Sequence, residues 1–189
     1  MKEFDEYRIS VSVMREAGFD EAMIGITLSH GATRSRAEEI APKLAHKGSG
    51  HGKFLESILV WLDVTAPRYW WMQADTYRMS TKQSESTMHT ICKRPLTQMD
   101  FAKPLPDGWL ETINGLVELK RLDLVKMVLP ESFLQRRIWC VSYKTLQNIV
   151  AQRNTHKLLE WRDFCDAVID GVEYPEFIGQ TFNTLEEEK

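Results

Sequence analysis

The sequence predicts a single α+β domain. Three observations carry this reading: an apolar/polar alternation near the N-terminus, downstream stretches with apolar residues at helical spacing, and the lack of any repeat or low-complexity linker that would divide the chain. A chain of 189 residues that is 43% hydrophobic and 27% charged is long enough for one buried core and ordinary in composition for a globular domain.

The elements follow in order. Ile9, Val11 and Val13 alternate with polar residues, as in a half-buried strand. Gly18 is a turn signal inside residues 15–20, and a second apolar stretch occupies 23–28. Gly31, Gly48, Gly50 and Gly52 bracket a charged helical segment at about 35–46. Residues 54–64 read as a strand or a buried helix that ends before Pro67, because a proline disfavours helical backbone in the residue before it. Pro95, Pro104 and Pro106 mark a loop. Residues 108–124 then have helical spacing, with Trp109, Ile113, Leu116, Leu119 and Leu122 or Leu124 apolar. Pro130 breaks the chain ahead of a short strand at 138–141. One helix is predicted at 143–152 with Leu146, Ile149 and Val150 inward. Another is predicted at 157–168 with Leu158, Trp161, Phe164, Cys165 and Val168 on one side. The tail ending Glu186-Glu187-Glu188-Lys189 reads as frayed, so the domain is placed at 1–183 and the tail at 184–189.

Composition excludes several classes. A net charge of −3 argues against a dedicated nucleic-acid binder, which is usually strongly basic. No apolar run approaches the roughly 20 residues needed to span a bilayer, and the N-terminus lacks a signal-peptide core, so the expectation is a cytoplasmic protein without a membrane partner. Cys92, Cys140 and Cys165 are odd in number and form no CxxC pair. They read as buried or inert thiols in a reducing compartment, not as a disulfide framework or a zinc site. Six tryptophans and eight methionines suggest apolar surface for a ligand ring or a partner subunit.

Residues 68–89 carry the strongest functional signal. Trp70 and Trp71 begin the stretch, Arg78 is central, and a dense run of hydroxyl and amide side chains follows. Such groups are what a protein aims at phosphate, sugar and base edges. Trp70 and Trp71 suit the core, a subunit interface or a stacking platform. Other basic residues are placed to converge with Arg78: Lys126 before Leu129-Pro130, Arg136 and Arg137 before a strand, Lys144 at a helix start, and Arg153 at that helix's end, followed by His156. Taken singly, each is a solvated surface cation; taken together they suit an anionic ligand. His51 lies in the run Gly48-Ser49-Gly50-His51-Gly52, which permits close approach to a phosphate or is simply a loop. Glu56 and Asp63 form no recognisable carboxylate pair. Ser86 is either a nucleophile or a hydrogen-bonding serine, and no His/Asp partner can be assigned to it.

These residues resemble the flavin-dependent thymidylate synthases. That family's signature, Arg-His-Arg-x-x-Ser-x-Asn-Glu-x-Ser-x-Arg-Tyr, maps without gaps onto residues 76–89. Its upstream His-x-x-x-x-Glu is similar to His51 and Glu56, and its basic residue before a Leu-Pro to Lys126 with Leu129-Pro130. Its Asn-x-Arg-x-Leu helix start resembles Ser142-Tyr143-Lys144-Thr145-Leu146. Its closing Arg, His and Glu-x-(Arg or Gln) resemble Arg153, His156, Glu160 and Arg162, with one residue deleted between Arg153 and Glu160. The resemblance spans about residues 48–170.

The resemblance implies an antiparallel sheet with packed helices, a homotetramer with sites between subunits, and a cytoplasmic protein of a bacterium or of a phage's host. It implies FAD as cofactor, with NADPH and methylenetetrahydrofolate as co-substrates, and chemistry at C5 of a pyrimidine deoxynucleotide such as dUMP. By this correspondence Arg78 and Ser86 are the catalytic candidates, and Gln73, Ser86, Lys126 and Arg153 bind the nucleotide, Arg153 at its phosphate. His51, Arg78, Lys144, Asn148 and His156 face the flavin. In a family whose sites form between subunits, the Trp-rich patch would serve assembly.

The chain also departs from the pattern. Thr76, Tyr77, Thr81, Gln83, Ser84, Met88 and His89 replace signature Arg, His, Ser, Asn, Glu, Arg and Tyr, and Ser142 replaces the Asn before the helix. Met88 alone removes a charged hydrogen bond worth about 1.5–3 kcal/mol. Two functions are therefore carried forward: a flavoenzyme of this type, and a catalytically depleted relative that binds or sequesters a nucleotide without turnover.

Overall fold

The N-terminal alternation becomes strand β1, Ser10–Ala17, with Val11 and Val13 packed on the main core. The computed structural model describes residues 9–48 and 50–179, so the acidic tail at 184–189 and the domain limit at 183 lie outside the described residues, as does Ser49. Gly18 ends the strand with φ 96°, and a Cβ there would lie 2.1 Å from the Ser57 carbonyl oxygen. Only glycine fits, and the chain turns at once into helix α1, Phe19–His30. The unassigned apolar stretch at 23–28 is the middle of this helix; Met23 and Ile26 face the core while Ile24 and Leu28 face solvent. Helix α2, Arg34–His46, coincides with the predicted charged helix and is opened by Thr33, whose side chain accepts the Arg36 N–H.

Residues 54–64 are two elements where the sequence suggested one. A 3₁₀ turn, His51–Glu56, buries Phe54 and Leu55, and strand β2, Leu59–Pro67, begins after Ile58. The apolar run was continuous because core residues of a turn abut a strand whose Val60, Leu62, Val64 and Ala66 alternate inward. The strand runs through Pro67, and helix α3, Arg68–Ala74, starts at the next residue.

The sheet is antiparallel in the order β1-β2-β4-β3, where β3 is Ser80–Ser84 and β4 is Leu134–Ser142. Strand β4 is longer than predicted because its first half, Gln135-Arg136-Arg137, is polar and carries no apolar signal. Between β3 and β4 lie α4 (Thr87–Thr90), α5 (Trp109–Glu118) and α6 (Leu122–Val128), gathered on a second core of Ile91, Leu96, Phe101, Ile113, Val117, Val125 and Leu129. The helix expected over 108–124 is broken at Lys120, whose φ is 52°, and Leu119 beside it is 71% exposed. Helices α7, Tyr143–Arg153, and α8, Leu159–Gly171, fall where predicted. Ser142 caps α7 by accepting the Thr145 N–H.

Of the alternatives open for Trp70 and Trp71, the core is the one the structure takes, which leaves neither ring for assembly or stacking. Both are fully buried, against Trp139 of β4 and, for Trp70, against Trp161 and Phe164 of α8. Helix α3 lies against β2, and its aromatic face has nowhere else to go. All three cysteines are free, and burial pushes the Cys165 thiol up to about 12. No helix among the described residues is long and apolar enough to cross a membrane.

Candidate functional site

Three elements meet around Arg153. Helix α7 ends at Arg153, α8 begins just beyond it, and the end of α3 with the following residues 75–79 packs alongside. Gln73 is the hinge of the cluster: its Oε1 accepts the Trp161 indole N–H at 2.9 Å and the Arg153 Nη1 at 3.5 Å. The Arg153 Nε donates to the Tyr77 hydroxyl at 3.0 Å, and that hydroxyl donates to Gln152 Oε1, also at 3.0 Å. The guanidinium lies 4.9 Å from the Trp161 ring centroid, a cation–π contact worth about 0.5–2 kcal/mol. Every hydrogen-bond partner of Arg153 is neutral; among the described residues no carboxylate pairs with it. By contrast Arg34, Arg36, Arg94, Arg136 and Arg137 each hold a carboxylate within 3.0 Å.

His156 borders this cluster, edge-on to Trp161 at 6.4 Å. Its Nδ1 accepts the Leu158 N–H at 3.1 Å, which leaves the proton of the neutral ring on Nε2. Partial burial, then the charges of Arg153, Arg162 and Lys157, hold its pKa below the ordinary 6.5. Desolvation is the larger cause, and the three neighbouring cations act in the same direction. Tyr69 donates to the buried Glu160 of α8, and burial, then this bond, raises the phenol's pKa.

The other predicted residues fall at separate points of the same chain. Lys126 donates to Thr87 Oγ1 at 3.2 Å and so sits beside Ser86, which precedes α4 and makes no side-chain cap bond. His51 opens its 3₁₀ turn next to Gly52, where a Cβ would come 3.0 Å from the Ala45 carbonyl oxygen and 3.5 Å from Lys144 Nζ, so the glycine lets the turn pack against α2. His51 also lines a cleft of about 770 Å³ with an apolar floor that includes Ile26, Leu44 and Phe54. Lys144 donates to Gln147, and Asn148 is exposed one turn along the same helix. Arg78 is exposed and makes no side-chain hydrogen bond or ion pair among the described residues.

Some cations have structural work instead. Arg137 grips Asp75 at 3.0 and 3.1 Å and lies 4.3 Å over Trp71. Arg136 pairs with Asp63 at 2.5 and 2.8 Å. Lys82, which no sequence signal marked, lies 4.6 Å from the Trp139 ring centroid, and burial lowers its pKa. Tyr77, Gln152 and Trp161 complete the Arg153 cluster: Tyr77 was marked as a departure from the signature histidine and Trp161 as part of an apolar helix face, while Gln152 had no signal. No group of three or more His, Cys, Asp or Glu side chains suited to a metal ion occurs among the described residues.

The fold that carries this site is that of the flavin-dependent thymidylate synthases. The chain is similar to the Helicobacter pylori flavin-dependent thymidylate synthase complexed with FAD and dUMP, with a TM-score of 0.76 and 18% identity over 89% of this chain and 97% of that one. A second structure of the H. pylori enzyme with FAD and dUMP gives a TM-score of 0.75 and 17% identity over 88% of this chain and 94% of that one. No family model matches the sequence, and no curated protein matches it.

Proposed function

We propose that this chain is a flavin-dependent thymidylate-synthase-like enzyme acting at C5 of a pyrimidine deoxynucleotide, dUMP or a near relative. One observation carries the reading: on the fold of those enzymes, Arg153, Gln73 and His156 form one cluster that keeps an uncompensated cation. Arg153 takes the 5′-phosphate in this scheme, with Lys126 and Ser86 completing the nucleotide site and Gln73 orienting both Arg153 and Trp161. The donors proposed for FAD fit that group in kind: Lys144 for its phosphates, and His51 beside an apolar cleft able to take a flat ring. When bound, FAD supplies the hydride chemistry, with NADPH as reductant and methylenetetrahydrofolate as carbon donor. Arg78, whose side chain has no hydrogen-bond or ion-pair partner among the described residues, is assigned to the flavin or the base.

Assembly into a homotetramer in the cytoplasm belongs to the same proposal. Met127 at 79% and Trp109 at 48% exposed leave apolar surface that supports a subunit contact. The test is direct. Purified protein is expected to be yellow, or to take up FAD, and to bleach with NADPH. Colourless protein that takes up no added FAD overturns the enzyme reading.

A second reading has its own observation. Arg78 and Ser86, the two catalytic candidates, are exposed, and their side chains make no hydrogen bond among the described residues, while Met88 stands where the signature has an arginine. A binder that holds a nucleotide without turnover would need only the Arg153 side of the site. In that case dUMP raises the melting temperature by selective binding to the native state, and no product forms.

A further inference from the structure

We propose that Lys82 is a positioning residue that presets Arg78 for the flavin, by locking the turn that joins α3 to β3. The inference rests on the flavin reading above and adds a residue at a position the signature leaves open, since Lys82 stands between Thr81 and Gln83 at an x of the pattern. Its side chain is 10% exposed, so the ammonium is held inside the turn and not on the surface. An ammonium has three protons and no lone pair. One points to the Tyr77 carbonyl oxygen at 3.3 Å and one to Ser80 Oγ at 3.1 Å, while Asp75 Oδ1 lies 3.9 Å away. The Ser80 hydroxyl accepts the lysine and donates its own proton to the same Tyr77 carbonyl at 2.7 Å. On the far side the Trp139 ring, its centroid 4.6 Å from Nζ, stabilises the cation where water is excluded.

The lock acts on Arg78 through the two peptides that flank it. A residue has only two soft dihedrals, each set against a planar peptide. The peptide before Arg78 is held through the Tyr77 carbonyl by Lys82 and Ser80. The peptide after it is held through the Arg78 carbonyl, which accepts the Ser80 N–H at 2.8 Å. With both planes fixed, the direction in which the Arg78 side chain leaves the backbone is fixed too, although its guanidinium is exposed. The next carbonyl, that of Met79, accepts Thr145 Oγ1 at 3.4 Å, so the turn is registered against α7, the helix that carries Lys144 and Asn148. Arg78 is thereby aimed by contacts to its backbone, and none of them draws on its charge. A methionine at 82 would fill the same space over Trp139 but leave the Tyr77 carbonyl to Ser80 alone. A loose turn must be ordered at the moment of binding, which weakens affinity; a preset one avoids that loss.

The experiment measures the dissociation constant of FAD by calorimetry on the full chain, for the parent, Lys82→Met, Ser80→Ala, Arg78→Ala and each of the first two combined with Arg78→Ala. Lys82→Met is expected to weaken FAD about threefold to tenfold, and Ser80→Ala about twofold to threefold. In the Arg78→Ala background neither change should weaken FAD further by more than about 1.5-fold, because both act through Arg78. A change that only loosened the fold would weaken FAD in that background as well. Unchanged FAD affinity in Lys82→Met overturns the proposal, as does full additivity with Arg78→Ala, or parent affinity in Arg78→Ala itself. Where Lys82→Met does not fold, Ser80→Ala decides by the same criteria. A parent protein that takes up no FAD fails the flavin reading itself, a result recognisable before any variant is made.

Discussion

Arg153 and His156 define what single residues contribute to this molecule. One is a cation whose hydrogen-bond partners are all neutral, and the other is an imidazole whose pKa is lowered by burial and then by the cations around it. The sign of the His156 shift makes a prediction. A histidine that holds its proton more weakly when folded than when unfolded is neutral in both states above 6.5 and contributes nothing there. As pH falls through 6.5 toward the folded value, the unfolded chain binds the proton first and stability is lost. The His156 ring should therefore titrate below 6.5 by NMR, and Arg162→Ala should move the titration upward by removing a like charge. A titration at or above 6.5, or one indifferent to Arg162, would refute this account of the ring. Residue identities at this site were legible through their spacing: Arg153, His156 and Gln73 were all named from the sequence. Their partners were not, because Tyr77 and Arg153 meet across 76 positions and nothing local in either segment encodes the meeting.

At the level of elements, chemistry that acts within a few residues was readable and chemistry across the sheet was not. Helices α7 and α8 announced themselves because the buried set Leu146, Ile149 and Val150, and then Trp161, Phe164, Cys165 and Val168, repeats at helical spacing. Strand β3 carries no such signal. Its residues Ser-Thr-Lys-Gln-Ser form a strand because β4 offers a ladder from Val141 to Arg137, not because of their own preference. The Gly18 turn was marked by the glycine, although its reason is tertiary: the Ser57 carbonyl fills the space of a side chain. Gly18→Ala must strain a φ of 96° and push that carbonyl aside, so it should destabilise by about 1–3 kcal/mol or more, read as a fall of several degrees in melting temperature. A melting temperature within a degree of the parent would mean that the strand-to-helix junction is not held as tightly as described.

The whole molecule has two cores, and only the larger was anticipated. The smaller is assembled from residues 91–129, where the prolines of 95–106 read as loop and the helical spacing of 108–124 read as one helix, with nothing local to show that the two pack together. It also positions Lys126, which donates to Thr87 beside Ser86, so the nucleotide site proposed above would straddle both cores. Ile113 is 1% exposed at the centre of the smaller one, and Ile113→Ala should cost about 2–5 kcal/mol in that core. Native-state hydrogen exchange should then quicken throughout α5 and α6 and in β3, with β1 and β2 left protected. Uniform acceleration over the chain would indicate a single cooperative unit.

The sheet order β1-β2-β4-β3 has a kinetic side. Strand β3 precedes β4 in the chain yet pairs only with it, with Ser84 opposite Arg137, so the two must find each other across about 50 intervening residues. Closing a flexible loop costs about 0.6 kcal/mol more for each doubling of its length. A small core that condenses early between the two strands shortens the span left to close. The excursion from residue 85 to residue 133 would then act as the clasp of a bracelet: when it is fastened, the strand after Arg78 is brought into line, and the polar edge of the sheet is among the last parts of the chain to become ordered.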